Sequence, residues 1–499
     1  MSRIDSVATY ARSHPTRPAV ADLESGRGWT YAALDTAIDR LAAWLVDELG
    51  EASGARVATL AKNRAEMPIL QLACVRAGAI FVPFNWRLAA AEVAALAADA
   101  DPALIFHEAE FAPPLTGRAL PVETLLDLGH EDTAPPATAR RDFEDVATLL
   151  YTSGTSGRPK GVMLSERNAF FGCTNFIHGN DVTMRAVFLC DMPLFHTAGL
   201  YAATRVPLQA GACVLISRGF DPVLTLARLA DPALGVTHYF SVPQMAATLW
   251  NQPEFDPASL RKLTGWAIGG APNPRAQTER FVRAGIRITE GFGMSETGSN
   301  FGMPTDDLDL LVAKAGSCGL PFMSIEAKIV DVDGNEVPDG TRGELWLRGP
   351  SIASGYWNQS ELTAQTFRDG WFVTGDAALK DADGFWYIVD RKKDMYISGG
   401  ENVYPAEVEA VLAELAAVGE AAVVGVPDER WGEVGRAYVI AVPGQAISAE
   451  EIVAHCVLRL AKFKVPASAV VTDAIPRTAS GKVQKHVLRA QALGELGLG

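Results

Sequence analysis

The sequence predicts an α/β fold with a smaller second domain, and two features of the chain lead to this prediction. Up to about residue 320, short apolar strands alternate with amphipathic helices, which is typical of parallel βαβ units. From about Glu326 the pattern changes to short strands around Asp-Gly turns at 333–334 and 383–384. Such turns favour hairpins, so a small antiparallel unit is expected after the parallel part.

A short charged segment, 390–394, lies between two apolar strands and is predicted to be a hinge. We therefore expect an N-terminal domain at 1–391 and a C-terminal domain at 392–499, which meet within this segment. In the last domain the pattern predicts a helix at 405–415, strands at 420–426 and 436–442, and a second helix at 449–460.

The remaining elements follow from hydrophobic periodicity. Apolar residues at helical spacing follow Tyr31, so residues 4–50 are predicted to form two helices around a short hairpin. The Pro- and Ala-rich stretch 108–142 is predicted to be a surface connection. The other predicted strands span 56–60, 78–83, 146–151, 186–190, 212–217, 237–242, 266–269, 325–332, 343–348 and 385–389, and the other predicted helices span 63–77 and 166–180.

Composition narrows the function classes. The 499 residues include 44 Lys and Arg against 59 Asp and Glu, and the net charge of −15 disfavours nucleic acid or an anionic membrane as the main partner. The six cysteines lack CxxC or Cys/His pairing and are interpreted as buried apolar residues in a reducing compartment. No apolar leader or run of about 18 apolar residues is present, so a cytoplasmic protein without integral membrane association is expected.

The stretch 146–161, VATLLYTSGTSGRPKG, has the character of a phosphate-binding loop. An apolar strand runs into a loop of Thr, Ser and Gly that ends at Lys160. Glycines let backbone N–H groups approach anionic oxygens, hydroxyls add donors, and a lysine supplies a point charge. The spacing does not fit a Walker loop, and a solvated Gly/Ser turn is the alternative. The predicted phosphate-binding residues are Thr152, Ser153, Gly154, Thr155, Ser156, Gly157 and Lys160.

Five further stretches share this glycine-rich, polar character. They are GGAP at 269–272, GFGMSET at 291–297, TGD at 374–376, SGGEN at 398–402 and PRTASGK at 476–482. Each alone is weak, but their order and spacing together are a strong signal.

With these motifs the chain resembles the adenylate-forming superfamily of acyl-CoA synthetases, aryl-CoA ligases, luciferase and peptide-synthetase adenylation domains. The resemblance extends from about Trp29 to Arg489 and is closest to bacterial ligases for fatty and hydroxycinnamic acids. It implies that the N-terminal domain includes a small β-barrel-like subdomain and that the α+β C-terminal domain is mobile. It also implies the reaction: a carboxylate is joined to the α-phosphate of ATP with Mg²⁺, and the thiol of coenzyme A then displaces AMP.

The resemblance assigns roles around the nucleotide. Glu296, with Thr155, would hold magnesium, and Ser295 would donate to the α-phosphate, where most relatives have Thr. Asp376 would accept both ribose hydroxyls with help from Arg391, and its alternative is a turn-capping aspartate. The implied adenine contacts are Gly270, Ala271, Pro272, Gly291, Phe292, Gly293 and Met294, with Phe292 stacking where most relatives have Tyr.

The resemblance also implies Lys482 as the catalytic lysine, bridging the substrate carboxylate and an α-phosphate oxygen. A surface lysine on a polar tail is the alternative. After adenylation the C-terminal domain would rotate about Lys393, withdraw Lys482 and present a glycine pair to the pantetheine arm. Residues 455–490 carry seven Lys and Arg against one acid, either a phosphate-attracting surface or a solvated helix face. The predicted CoA contacts are Ser398, Gly399, Gly400, Glu401, Lys462 and Lys464.

The acyl pocket is expected near His196, to which the resemblance gives a gating or positioning role; a core histidine is the alternative. The predicted lining is Phe195, His196, Ser241, Gly269, Asn300 and Phe301. It is mostly small or apolar and without Arg or Lys, which favours apolar monocarboxylates over dicarboxylates. Ser241 or Asn300 would meet a phenol hydroxyl or be structural.

The leading hypothesis is therefore an AMP-forming acid:CoA ligase for a medium- or long-chain fatty, hydroxycinnamic or other aryl acid. Transfer of the acyl group to a separate carrier protein is the main alternative. A luciferase-like oxygenase and a non-catalytic ATP-binding protein are less favoured, and the pattern is compatible with a homodimer.

Overall fold

The computed structural model describes residues 4–50, 54–111, 118–129, 142–152, 160–271, 273–304, 306–391, 394–398, 401–428, 430–460, 462–478 and 483–497, with the backbone alone at Asp390, Arg391 and Asn402. Within these ranges four sheets form the framework of the molecule.

The strands are, in chain order, β1 Pro18–Asp22, β2 Gly28–Thr30, β3 Arg56–Leu60, β4 Ile80–Pro83, β5 Leu104–His107, β6 Arg118–Pro121, β7 Val146–Thr152, β8 Lys160–Ser165, β9 Val187–Cys190, β10 Cys213–Ile216, β11 His238–Ser241, β12 Gly265–Ile268, β13 Ile288–Met294, β14 Gly298–Gly302, β15 Leu320–Pro321, β16 Glu326–Val330, β17 Gly343–Arg348, β18 Phe367–Arg368, β19 Trp371–Lys380, β20 Trp386–Arg391, β21 Tyr396–Ser398, β22 Glu401–Val403, β23 Val418–Asp428, β24 Gly432–Ala441 and β25 Ser468–Val471.

The α-helices are α1 Ser6–Ser13, α2 Tyr31–Leu49, α3 Glu66–Ala77, α4 Ala90–Ala100, α5 Glu166–Gly179, α6 Val206–Ala210, α7 Pro222–Ala230, α8 Pro243–Trp250, α9 Pro257–Leu260, α10 Arg275–Arg283, α11 Leu308–Ala313, α12 Ser360–Thr366, α13 Pro405–Leu412, α14 Ala449–Val457 and α15 Lys485–Glu495. A π-helical segment, Ala198–Arg205, precedes α6, and 3-10 turns lie at Ala109–Phe111, Val122–Asp127 and Lys462–Lys464.

The first sheet has the order β6-β5-β3-β4-β7-β8 and is parallel except between β7 and β8. Thr152 in β7 lies opposite Lys160 in β8, so the phosphate-loop stretch joins two strands of a hairpin. The strand predicted before the loop is confirmed, whereas β8 was not predicted. The prediction that 108–142 is only a connection was wrong at its centre, where β6 forms the sheet edge.

The second sheet has the order β15-β14-β13-β12-β11-β9-β10-β1-β2. Its strands from β13 to β1 run parallel, and their carboxyl ends therefore meet along one edge. Ile268 at the end of β12 lies opposite Glu290 in β13. Ligands bind beyond such carboxyl ends in open α/β sheets. One glycine-rich motif, 269–272, follows β12, and another, 291–297, spans the carboxyl end of β13.

The two remaining sheets confirm the predicted change from parallel to antiparallel strands after about Glu326. The unit predicted from Glu326 is an antiparallel sheet, β16-β17-β19-β18, with β20 beside β19. The C-terminal sheet has the order β22-β21-β24-β23, with β25 parallel to β24, and α13 and α15 pack on β23. The predicted helix–strand–strand–helix series of the last domain corresponds to α13, β23, β24 and α14. The chain is thus α/β with a smaller C-terminal unit.

Helix α2 illustrates how the apolar pattern produces the core. Thr30 caps it, because its hydroxyl accepts from the Ala33 N–H at 3.3 Å. The residues at helical spacing on one face are buried and pack towards α3; they are Tyr31, Leu34, Ile38, Leu41 and Leu45. None of the described helices, α2 included, is long and apolar enough to cross a membrane.

Helix α5 is hydrogen-bonded to three segments near the glycine-rich motifs: the phosphate hairpin, β14 and the loop after β17. Ser165 caps it through a capping box with Asn168, directly after β8. The Asn168 amide also donates to the carbonyls of Pro350 and Ile352, at 3.0 and 2.7 Å. Two turns later Asn175 donates to the Ser299 carbonyl in β14 at 3.0 Å. The phosphate hairpin, β14 and the loop after β17 are therefore fixed to one helix.

Candidate active site

The tight turn between β13 and β14 carries Ser295 and Glu296. The Met294 N–H donates to the Thr297 hydroxyl at 3.1 Å, and the Thr297 N–H donates to the Met294 carbonyl at 3.2 Å. A Cβ at Gly293 would lie 2.3 Å from the Gly298 carbonyl oxygen, so only glycine fits there. The turn is consequently a rigid support for the two side chains.

Glu296 is buried, and it faces the phosphate hairpin. One carboxylate oxygen, Oε1, accepts from the Tyr356 hydroxyl at 2.9 Å, and the Glu296 carbonyl accepts from the Ala353 N–H at 2.7 Å. The Lys160 ammonium lies 5.2 Å from the centre of the same Tyr356 ring. The structure therefore brings together a predicted magnesium carboxylate and the predicted phosphate lysine.

The base of the phosphate hairpin is anchored at both strands. The Tyr151 hydroxyl donates to Asp99 at 2.6 Å, and burial together with that carboxylate raises the Tyr151 pKa. The Trp357 indole donates to the Asp99 carbonyl at 3.2 Å, and its backbone N–H donates to the Gly161 carbonyl at 2.7 Å. Thr152 and Lys160 thus lie at fixed ends. The predicted residues between them, Ser153, Gly154, Thr155, Ser156 and Gly157, lie outside the described residues.

The predicted adenine wall follows β12. Gly270 has φ +86°, which a side chain rarely adopts, and Ala271 is exposed; Pro272 lies outside the described residues. In the neighbouring strand β13, Glu290 Oε1 accepts from the Thr278 hydroxyl at 2.7 Å and the Gly316 N–H at 3.1 Å. Burial raises the Glu290 pKa to about 7, and these donors oppose the shift.

Thr278 also connects Glu290 to the adenine-side loop. The Asn273 side-chain amide donates to the Thr278 hydroxyl at 2.7 Å, and the Gln277 side-chain amide donates to the side-chain oxygen Oδ1 of Asn273 at 2.8 Å. This polar chain sets the position of the loop relative to β13. The sequence analysis missed this hydrogen-bonded chain, because a glutamate directly before a glycine-rich motif, as at Glu290, is not distinctive in sequence.

The predicted adenosine residues lie on two sheets. Phe292 is half-buried in β13 and packs edge to face on Phe301, with ring centres 6.0 Å apart. Asp376 is buried within β19, and its N–H donates to the Thr374 hydroxyl at 3.0 Å. Arg391 in β20 is the backbone register partner of Asp376. Gly291, Gly293 and Met294 lie on β13 beside Phe292.

Several residues predicted to line the acyl pocket are instead hydrogen-bonded to, or packed against, other residues of the protein. The Ser241 hydroxyl is buried and accepts from the Trp266 indole at 2.8 Å. Asn300 is fully buried, accepts from the Thr297 hydroxyl and donates to the Thr297 carbonyl at 3.0 Å. Phe301 packs in the core against Trp386. The structural alternative is therefore favoured for Ser241 and Asn300.

Phe195 and His196 form a contiguous aromatic surface at the start of the π-helical segment. Their ring centres lie 4.5 Å apart, and Phe195 is buried. The Arg87 guanidinium lies 5.8 Å from the Phe195 ring, a cation that the sequence analysis did not place here. Gly269 at the end of β12 has Phe240 on one side, and a Cβ there would lie 3.3 Å from that ring.

The C-terminal motifs are only partly described. Ser398 is buried in β21 and lies opposite Glu401 in β22. Gly399, Gly400, Lys393 and Lys482 lie outside the described residues.

The basic stretch 455–490 is largely neutralised by acids. The pairs are Arg459–Glu414 at 2.9 Å, Lys464–Glu407 at 2.6 Å, Lys485–Glu409 at 2.9 Å, Arg489–Glu433 at 2.6 Å, and Arg477–Glu420. Lys462 is exposed. The interpretation of this stretch as an anion-attracting surface is weakened accordingly.

Comparison with known proteins identifies the family. The model of the AMP-binding enzymes matches residues 7–357, and that of the AMP-binding enzyme C-terminal domain matches residues 407–482. The chain belongs to the AMP-binding enzymes. The resemblance drawn from the motifs is thereby confirmed, and this adenylate-forming enzyme is an acid–thiol ligase.

Relatives of this AMP-binding enzyme match along nearly their whole length. A feruloyl-CoA synthase from an Amycolatopsis species is 38% identical, over 96% of each chain. A fatty acid–[acyl-carrier-protein] ligase, ScoC of Streptomyces coeruleorubidus, is 35% identical over 99% of this chain and 96% of the relative. The o-succinylbenzoate coenzyme A synthetase MenE of Bacillus subtilis, solved with ATP and a magnesium ion, is 31% identical; the match covers 97% of this chain and 99% of that one, with a TM-score of 0.87.

Proposed function

We propose that the protein is an AMP-forming carboxylic acid:CoA ligase that activates an apolar monocarboxylic acid with ATP and Mg²⁺. The observation that carries the proposal is the position of Glu296, a buried carboxylate beside the Lys160 end of the phosphate hairpin. Joining an anionic acid to a polyanion requires charge neutralisation above all, and this arrangement supplies both a cation and a ligand for a second one.

The donor set suits magnesium. Among the described residues, no group of three or more His, Cys, Asp or Glu side chains could hold a metal ion. Glu296 and Thr155 would therefore share the ion with phosphate oxygens, as is usual for Mg²⁺ in nucleotide sites. When bound, the ion neutralises charge that develops on the departing pyrophosphate.

In the first half-reaction the acid's carboxylate oxygen forms a bond to the α-phosphorus, and the bond to pyrophosphate breaks. Ser295 donates to the α-phosphate, and Lys482 bridges the incoming carboxylate and an α-phosphate oxygen. The hairpin holds the leaving β- and γ-phosphates through Thr152, Ser153, Gly154, Ser156, Gly157 and Lys160. Each of these contacts acts on charge that increases towards the transition state.

The adenosine would lie between the second and third sheets. Phe292 stacks on adenine, and Asp376 accepts the ribose hydroxyls with Arg391 beside it. The backbone at Gly270, Ala271, Pro272, Gly291, Gly293 and Met294 completes the wall. Support comes from the backbone register of β19 and β20, in which Asp376 and Arg391 are partners.

In the second half-reaction the thiol sulfur of coenzyme A attacks the acyl carbon, and AMP leaves. The C-terminal domain, 392–499, turns on Lys393 against the N-terminal domain, 1–391, and the β21–β22 connection reaches the active site. Ser398, Gly399, Gly400 and Glu401 line the thiol path. Lys462 and Lys464 approach the CoA phosphates, and Lys464 must leave Glu407 to do so.

The substrate is a fatty or aryl monocarboxylate. Phe195, His196 and Gly269 line the acid site, where His196 positions the acid or gates the thiol path. The relative that makes feruloyl-CoA supports an aryl acid. No residue is assigned as a base for the coenzyme A thiol, because a thiol with a pKa near 8.5 loses its proton to water readily near neutral pH.

The test is a hydroxamate screen of purified enzyme with ATP, Mg²⁺ and a panel of fatty, cinnamic, benzoic and dicarboxylic acids. We expect acid-dependent hydroxamate from an apolar monocarboxylate and exchange of labelled pyrophosphate into ATP. No exchange with any acid would refute the proposal. Activity confined to dicarboxylates would refute the substrate class alone.

A separate carrier protein is the second candidate acceptor, because a relative that loads fatty acids onto an acyl carrier protein is 35% identical over nearly the whole chain. Acyl-adenylate would be supplied with either CoA or a carrier protein bearing phosphopantetheine. A rate at least tenfold higher with CoA supports the ligase, and the reverse order supports the carrier.

A further inference from the structure

One aromatic side chain lies between the two oppositely charged groups of the site. Tyr356 is buried, its hydroxyl donates to Glu296 Oε1 at 2.9 Å, and its ring lies 5.2 Å from the Lys160 ammonium. Lys160 and Glu296, both in the described part of the chain, form no ion pair with each other. The lysine and the carboxylate are thus close to one residue without neutralising one another.

The position of Tyr356 is set by contacts on three sides. Its N–H donates to the Thr363 hydroxyl at 2.9 Å, and its backbone pairs with Val162 in β8. Its ring packs edge to face on Phe367, with centres 5.9 Å apart. The hydroxyl is therefore held in place independently of Glu296.

The residues around Tyr356 join the phosphate hairpin to the Glu296 turn. The Trp357 N–H donates to the Gly161 carbonyl at 2.7 Å, and the Met163 N–H donates to the Gly355 carbonyl at 3.0 Å. On the other side, the Ser351 hydroxyl donates to the Thr297 carbonyl at 2.8 Å. The segment 351–357 is bonded to both halves of the site.

We propose that Tyr356 is a positioning residue, which orients the Glu296 carboxylate towards magnesium and keeps Lys160 available for phosphate. The inference rests on the proposed function. A phenol is a neutral donor, so it fixes one carboxylate oxygen, leaves the other for the metal and retains the negative charge that a cation needs. Its ring face attracts the ammonium weakly, and so holds Lys160 near without an ion pair that phosphate would have to break.

The test compares Tyr356→Phe with the wild type. This variant keeps the ring, the Phe367 contact and the Lys160 contact, and loses only the hydroxyl. We expect the apparent affinity for Mg²⁺ in pyrophosphate exchange to fall about tenfold, as for other residues that orient a metal ligand. By calorimetry, the affinity for ATP with Mg²⁺ should fall, while the affinity for ATP in EDTA stays unchanged.

Tyr438→Phe is the matched control. The Tyr438 hydroxyl is also bonded to a carboxylate, Glu495, at 3.2 Å, but in the C-terminal domain. Its Mg²⁺ dependence should equal that of the wild type. Thioester formation from supplied acyl-adenylate should be unchanged in both variants, because the metal acts in the first half-reaction.

A double-mutant comparison distinguishes positioning from a general structural effect. If Tyr356 acts through Glu296, Tyr356→Phe should not change the affinity for ATP with Mg²⁺ in a Glu296→Gln background. Loss of affinity by the same factor in both backgrounds would overturn the proposal, as would a wild-type Mg²⁺ dependence in folded Tyr356→Phe. A wild type without pyrophosphate exchange would instead refute the proposed function.

Discussion

At the scale of single residues, Glu290 and Glu296 are close in the chain but have different surroundings. Glu290 accepts from a hydroxyl and a backbone N–H, and burial raises its pKa to about 7. Glu296 accepts from a tyrosine next to a lysine. The Glu290 carboxyl is therefore suited to holding a loop in place, and the Glu296 carboxylate to binding a cation. The role of each carboxylate depends on its hydrogen-bond donors more than on the motif in which it lies.

The raised pKa of Glu290 makes stability depend on pH. The folded state binds this proton more tightly than the unfolded state does, so its stabilising effect is full below about pH 4.5 and is lost as pH rises through about 7. Glutamine carries no proton that can be lost, so Glu290→Gln should be more favourable to stability at pH 8 than at pH 5. We expect the change in the free energy of unfolding caused by the substitution to be about 1 kcal/mol more positive at pH 8, a modest value because part of the side chain is exposed.

Urea unfolding at the two pH values measures this difference. Glu254→Gln, at an exposed position, is the matched control and should show no such change between pH 5 and pH 8. An equal effect of Glu290→Gln at both pH values would contradict the assignment.

Lys482 provides the second test at this scale. Lys482→Ala removes a charge that the proposal places against the α-phosphate in the transition state of adenylation. We expect adenylate formation to slow by about 100- to 1,000-fold, with thioester formation from supplied acyl-adenylate nearly intact. Single-turnover rates of each half-reaction measure this. Equal loss in both halves would mean that the lysine serves the fold or CoA binding.

At the scale of elements, periodicity predicted α2, α3, α5 and most of the buried parallel strands, but it missed other elements, among them the helices α4 and α15 and the strands β6 and β8. β8 follows directly on a glycine-rich loop, and its sequence, KGVMLS, has no strict alternation. β6 is a four-residue edge strand with exposed side chains. Both owe their structure to a neighbouring strand, since a sheet edge supplies hydrogen bonds that the local sequence does not specify.

The site showed the same division. Motifs led to Glu296, Lys160 and Asp376, but the alternatives left open for Ser241 and Asn300 depended on hydrogen-bond partners that no motif specifies. Trp266 and Thr297 take their polar atoms. Tyr356 was missed for the same reason, because a tyrosine in an aromatic loop is ordinary until its hydroxyl is seen on a carboxylate.

Helix α5 yields a prediction at this scale. Asn168→Ala removes the side-chain oxygen that accepts from the Ser165 N–H and hydroxyl, and it leaves the partly buried carbonyls of Pro350 and Ile352 without their donor. We expect the free energy of unfolding to fall by about 2 kcal/mol, against about 1 kcal/mol for Ser448→Ala, which removes only an exposed cap of α14. Chemical denaturation compares them, and equal losses would mean that the contacts to the 350–352 loop add nothing.

At the scale of the whole molecule, one carboxylate connects the two domains. Glu407 on α13 accepts from Arg342 at 3.3 Å, and it pairs with Lys464 at 2.6 Å. The Arg342 guanidinium also lies 5.3 Å from the Tyr404 ring. These contacts are half-exposed and therefore weak, so little energy opposes their exchange. Among the described residues, these contacts would allow the proposed rotation, which sequence reasoning inferred only through the family resemblance.

The hinge prediction follows from this attachment. Proline fixes φ near −65° and lacks an N–H, so Lys393→Pro should obstruct the rotation that is proposed for the second half-reaction, whereas Lys393→Ala leaves the backbone free. We expect Lys393→Pro to slow thioester formation from supplied acyl-adenylate by about 100-fold, with adenylate formation reduced far less. Lys393→Ala should retain both rates to within a few-fold. If the proline variant slowed both half-reactions alike, the two would share one domain arrangement, and rotation about Lys393 would have no part in the cycle.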